Sequence, residues 1–83
     1  MMTPHDIRQE LLSVLLAIAP EVEPDELSDE ALLRDQVDLD SMDWLNFLVG
    51  VHRRFHVEIP EADYQKLRTL ADLIRYVQEH AAG

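Results

Sequence analysis

Apolar residues recur along this chain at spacings of three and four positions, and no strand pattern is evident. That periodicity restricts the fold to packed helices, because a half-buried strand needs a period of two. Ile7, Leu11, Val14, Leu15 and Ile18 fall at offsets 0, 4, 7, 8 and 11, one face of a helix running from about Thr3 to Ala19. Thr3 reads as its N-cap, Pro4 as its first residue, and Asp6 adds favourable charge in the first turn. Pro20 stops it. A second long helix is expected from Ser41 to about Phe55. Met42, Leu45, Leu48, Val49, His52 and Phe55 share its face, with Trp44, Phe47 and Val51 on the flanks.

Between these helices, Glu21 to Asp40 forms a long acidic connection carrying Val22, Leu27, Leu32, Leu33, Val37 and Leu39 as single apolar anchors. A structureless connection of that length would be unusual in so small a chain, so the anchors are expected to pin it to the core. Asp29 to Leu33 is a candidate helical turn. Val57-Glu58-Ile59-Pro60 reads as an extended link, because the residue before proline is pushed away from helical angles. Pro60 to about Leu67 suits a short third helix. Thr69 then caps a last helix, with Asp72 in the reciprocal position and Leu70, Leu73, Ile74 and Val77 as its apolar face. The expected fold is all-α, a small four-helix bundle of three longer helices and one short one, with a long loop between the first two. It is read as one domain over residues 1–83.

Composition narrows the function. The formal charge is −10, which argues against a nucleic-acid binder and suits partners with basic surfaces. The absence of cysteine excludes disulfides and thiolate chemistry by the protein itself. His52 and His56 stand four apart, but no carboxylate accompanies them as a helical zinc motif requires, so no metal site is expected. No nucleophile–base pair and no glycine-rich phosphate loop is evident, so no catalytic residue is assigned. The longest apolar stretch is far too short to cross a bilayer, the first residues do not read as a secretory signal, and the expected location is the cytoplasm.

One segment stands apart: Val37-Asp38-Leu39-Asp40-Ser41-Met42-Asp43. Ser41 opens an amphipathic helix at the end of a long loop. Spacing alone allows two roles and favours the first: serine is a common N-cap. The second is that the free N–H groups and positive dipole end of the helix suit a negative group built on its hydroxyl.

The chain resembles the acyl carrier protein family. Asp40-Ser41-Met42 is similar to the family's Asp-Ser-Leu attachment motif, and Leu45, Leu48, Val49, Val51 and Phe55 match apolar positions of its second helix. Val57-Glu58-Ile59-Pro60 resembles its link into the third helix, and Thr69-Leu70, Asp72, Ile74, Tyr76 and Val77 its last helix. Three departures stand out. Asp38 replaces the usual glycine three residues before the serine, and aspartate tolerates left-handed turn angles. Met42 replaces leucine, close in volume. Asn46, His52, Arg53 and Arg54 lie where fatty-acid carriers have an acidic face.

The resemblance implies a 4′-phosphopantetheine arm on Ser41, holding an acyl or aminoacyl group as a thioester for partner enzymes. Fatty-acid, polyketide or related biosynthesis is the implied setting. A phosphopantetheinyl transferase and acyl-loading and acyl-transferring synthases are the implied partners, and the carrier itself is a monomer and no enzyme. Asp40, Met42, Asp43, Trp44, Arg53 and Arg54 are the candidate recognition residues; Trp44 is read as partly exposed, packing on the loop in preference to contacting a partner. Arg53 and Arg54 equally suit the negative end of the helix dipole. Leu33, Phe47, Leu48, Val51, Ile59, Leu67 and Leu73 are candidates to line an acyl pocket, which Tyr64 would narrow. Each is also a plain core candidate. Gly50 in mid-helix costs about 1 kcal/mol relative to alanine, for which close helix approach or cargo space are the two explanations. The alternative reading is a helical interaction module that keeps this fold and works without the arm.

Overall fold

The computed structural model describes residues 2–80; Met1 and positions 81–83 of the expected domain lie outside them. Four α-helices follow in order: α1 (Pro4–Ile18), α2 (Leu33–Gln36), α3 (Ser41–Phe55) and α4 (Leu70–His80), with 3₁₀ turns at Pro24–Glu26 and Glu61–Lys66. Among the described residues there is no strand, only an isolated bridge between Leu32 and Thr69. The all-α expectation holds, with three longer helices.

Helix α1 begins with a complete capping box. Thr3 Oγ1 accepts from the Asp6 N–H at 3.1 Å, and the Thr3 N–H donates back to the Asp6 carboxylate. Thr69 and Asp72 repeat the arrangement at α4. Each reciprocal pair satisfies amide hydrogens that have no partner within the helix. Helix α1 packs against both α3 and α4, so the first helix is the wall on which the other two are assembled.

Two expected elements differ. The turn expected at Asp29 to Leu33 is displaced to α2, because the Gln36 side chain bonds the Ser28 N–H, the Ser28 carbonyl and the Ala31 carbonyl, holding that stretch as a loop. The short helix expected from Pro60 to Leu67 is a 3₁₀ turn, with bonds of the Asp63 N–H to the Pro60 carbonyl and the Leu67 N–H to the Tyr64 carbonyl.

The long connection is pinned as its anchors suggest. Leu33, Val37 and Leu39 are buried, and Leu27 and Val22 pack on the core. Leu32 is the exception: it points outward while its backbone bridges to Thr69. Arg8 Nε donates to Asp29 Oδ1 at 2.8 Å, the Leu33 N–H to the Arg68 carbonyl at 2.9 Å and the Ala71 N–H to the Asp29 carbonyl at 3.0 Å.

The buried faces are rotated from those read by periodicity. In α1, Leu12 is buried with Ile7, Leu11 and Leu15, while Val14 and Ile18 lie at the margin. In α3 the buried side chains are Trp44, Phe47, Leu48, Val51 and Phe55, the residues assigned largely to the flanks. Met42, Leu45 and Val49 of the expected core face are exposed. In α4, Tyr76 is buried with Leu70, Leu73 and Val77, and Ile74 is only partly covered.

Candidate functional site

The start of α3 is built from its own loop. Val37 and Leu39 are buried on either side of exposed Asp38, and the Leu39 N–H bonds the Val37 carbonyl at 2.9 Å. This tight three-residue turn needs no left-handed residue: among the described residues only His56 has a positive φ outside glycine. The left-handed angle anticipated as a use for Asp38 is therefore not required.

Asp40, not Ser41, is the N-cap. Its backbone is extended, and its carboxylate accepts the Asp43 N–H at 2.8 Å. That leaves Ser41 as the first helical residue, exposed and relieved of capping. The N-cap role left open for Ser41 is thus taken by its neighbour. A hydroxyl at this position lies beside first-turn N–H groups that have no intrahelical acceptor, in the positive field of a 15-residue helix. Such a position suits a covalently attached phosphodiester.

Around Ser41 the candidate recognition residues divide. Met42 is 73 % exposed, and Leu45 and Val49 continue the same outer ridge. Asp43 is half-buried. Trp44, expected to be partly exposed, is buried at 8 %, its ring tilted against Phe47 at 5.5 Å between centroids. It lines a cavity together with Leu32, Arg34 and Asp35, so it faces the connection between α1 and α3. Arg53 and Arg54 lie twelve and thirteen residues along α3, about 18 Å from Ser41 at helical rise. Arg54 pairs with Glu10 of α1, and Arg53 forms no ion pair among the described residues.

Of the candidate pocket residues, Leu33, Phe47, Val51 and Leu73 lie in the closed core. Leu48 and Ile59 line a small surface cavity of about 150 Å³, together with Val49, His52, Glu58 and Tyr64. Leu67 lines a separate cavity of about 580 Å³ that also includes Trp44 and Tyr64. Tyr64 borders both cavities. Gly50 faces α1: a Cβ there would stand 2.6 Å from Val14 Cγ1, so close helix approach accounts for the glycine.

Two polar devices hold the link after α3 and were not anticipated. His56 closes α3 in the left-handed conformation (φ 56°, ψ 41°), and His52 Nδ1 lies 2.7 Å from the Val57 carbonyl, to which it donates. Downstream, the Tyr76 hydroxyl donates toward Asp63 Oδ2 at 2.8 Å and the Glu58 carbonyl at 3.0 Å. The Tyr76 hydrogen bond holds the Asp63 carboxyl below its ordinary value. Burial, reinforced by Asp63, pushes the Tyr76 hydroxyl up to about 12. The signal for Tyr76 was its spacing: three past Leu73 and adjacent to Val77, it falls on the inner face. No cluster of His, Asp or Glu among the described residues is arranged to hold a metal ion, and no helix among them is long and apolar enough to cross a membrane.

Residues 8–77 match the family described as "Phosphopantetheine attachment site". The chain is 34 % identical over 61 residues to an acyl carrier protein of Zymomonas mobilis, spanning 74 % of this chain and 78 % of that one. It is 33 % identical over 75 residues to a meromycolate extension acyl carrier protein of Mycolicibacterium aurum, spanning 87 % and 77 %. A third similarity, 30 % over 54 residues, is to an acyl carrier protein of Brachyspira hyodysenteriae, covering 65 % of this chain and 69 % of the relative.

Proposed function

Because the chain belongs to the acyl carrier protein family, whose prosthetic group is 4′-phosphopantetheine, we propose that Ser41 is the attachment residue and that residues 1–83 act as one cytoplasmic, monomeric carrier of an acyl or aminoacyl group. The protein is a carrier and no catalyst, and it works with a phosphopantetheinyl transferase and with synthase enzymes. When bound, the prosthetic group supplies a terminal thiol on which the cargo rides as a thioester.

The observation that carries the reading is the division of labour at the helix start. Asp40 takes the cap, so the Ser41 hydroxyl is left exposed in the positive field of α3. The exposed ridge of Met42, Leu45 and Val49 beside it supports an apolar partner contact, with Asp40 and Asp43 steering basic surfaces toward it. Between Glu21 and Asp43 the chain holds ten acids and one base, which extends that steering field. Arg53, unpaired at the far end of α3, supports a dedicated partner whose docking surface ends in acidic residues. The relative named for meromycolate extension supports a fatty-acid type of biosynthesis over a peptide one.

Intact mass after incubation with coenzyme A and a broad-specificity phosphopantetheinyl transferase tests the assignment. The expected result is the gain of one phosphopantetheine, abolished in Ser41→Ala and retained in Arg53→Glu. A Ser41→Ala protein that still gains the mass would move the attachment elsewhere, and no gain with several transferases would remove it.

A further inference from the structure

The basic residues of this acidic chain are not spent evenly. There are seven, all within the described residues, and three are in ion pairs: Arg8 with Asp29, Arg54 with Glu10 and Lys66 with Asp63. Of the remaining four, Arg34 and Arg68 line the same cavity of about 580 Å³. They come from distant parts of the chain. The Leu33 N–H bond to the Arg68 carbonyl and the bridge between Leu32 and Thr69 draw the two segments together. The fold therefore gathers two like charges on one rim, although the chain has 17 carboxylates available as partners. Asp35 also lines the cavity and forms an ion pair with neither. The buried and half-buried part of the lining is apolar and aromatic: Trp44, Tyr64 and Leu67, with exposed Leu32 at its edge. The volume is in the range of small-molecule sites. Trp44 belongs to the turn of α3 that begins at Ser41, so that turn forms part of the cavity wall.

An apolar floor under a two-arginine rim fits an amphiphile with an anionic head, since arginine forks bind planar carboxylates in bidentate fashion. We propose that this cavity is a cargo subsite that selects acyl groups bearing a distal carboxylate, with Arg34 and Arg68 holding the acid and Trp44 and Leu67 the chain. The proposal rests on attachment at Ser41. The same cationic rim would also attract the phosphate of the prosthetic group, and the experiment separates the two anions.

The full chain is loaded by the transferase from coenzyme A, hexanoyl-coenzyme A or adipoyl-coenzyme A, which supply no cargo, a neutral cargo and an acid of equal length. Trp44 is the sole tryptophan, so its emission reports on the cavity directly; thioester lifetime in hydroxylamine gives a second readout. The adipoyl form is expected to shift Trp44 emission and to resist hydroxylamine about tenfold longer than the hexanoyl form, the ratio expected from one charge-assisted contact. Arg34→Gln combined with Arg68→Gln should erase that difference and leave the hexanoyl form and the melting temperature unchanged, because both side chains are exposed. Equal lifetimes of the two cargoes in the wild-type chain, or a difference that survives in the double variant, overturn the subsite alone. A Trp44 shift of the same size in the form without cargo assigns the rim to the phosphate and overturns it too. Failure to load at Ser41 overturns the attachment reading and the subsite with it.

Discussion

The two faces of α3 carry the same kind of side chain and have opposite fates. Phe47, Leu48 and Val51 are closed into the core, whereas Met42, Leu45 and Val49 stand in water. A helix with apolar residues on more than half its circumference has no unique inner face by periodicity alone. What orients α3 is its neighbours: α1 approaches so closely at Gly50 that a methyl group would collide with Val14. The surplus apolar face is then left beside Ser41, where a partner can use it. One face secures the fold, and the other remains available for transient docking.

The strongest way to break this contrast is to truncate one residue on each face. Phe47→Ala should cost about 3–5 kcal/mol in urea unfolding, which in a domain of this size is most of the total stability. Leu45→Ser should change stability by less than about 0.5 kcal/mol, while slowing modification of Ser41 by the transferase. Equal losses in the two unfolding curves would mean that α3 is rotated from the orientation described.

Gly50→Ala sharpens the same point. Overpacking against Val14 costs about 1–3 kcal/mol, and the helix propensity gained is about 1 kcal/mol, so a net loss of about 1 kcal/mol is expected. In a Val14→Ala background the substitution should become stabilising. If it stabilises the wild-type chain, the close approach is not the reason for the glycine.

The end of α3 is fixed by a residue in a costly conformation. His56→Gly removes the left-handed penalty and should raise stability by about 0.5–1 kcal/mol. A loss instead would mean that the imidazole of His56 makes a contact worth more than that penalty.

The smallest effect at neutral pH concerns Tyr76, an inner-face residue with a polar tip. In Tyr76→Phe the Asp63 carboxyl should titrate closer to 3.8, because the hydrogen bond that lowers it is gone. The sign follows from linkage. With Asp63 lowered in the folded state, its contribution is present above the ordinary carboxylate value and is lost as pH falls through the folded one. With Tyr76 raised from 10.0 to about 12, its contribution is full below pH 10.0 and is lost as pH rises through about 12. Carboxyl NMR and phenolate absorbance check both limbs. An unchanged Asp63 titration in the variant would remove the clasp.

Much of this architecture is legible in individual residues. Thr3 with Asp6 and Thr69 with Asp72 mark helix starts because capping is a local reaction between a side chain and an amide three residues away. Ser41 and Phe55 bound α3 because the cap, the apolar run and the extended link before Pro60 are all local signals. The family resemblance of Asp40-Ser41-Met42 pointed to the same serine. That Trp44 packs toward the loop was legible, but the completeness of its burial was not, since its azimuth depends on how α3 leans on α1 and on the loop. Nor was the placement of Arg34 and Arg68 on one cavity, which requires a backbone bridge between segments more than thirty residues apart.

The chain's own order of residues determined which segments are helical, where they start, and that a serine would stand at the mouth of one of them. These are properties of neighbours within a few positions, fixed by hydrogen bonding and side-chain chemistry. Tertiary packing decided which side of each helix is buried, which apolar residues of α3 are left in water, and which unpaired charges share a cavity. Those outcomes depend on the relative rotation and spacing of whole helices and on the path of the loop entering α3, and a one-dimensional periodicity leaves them open.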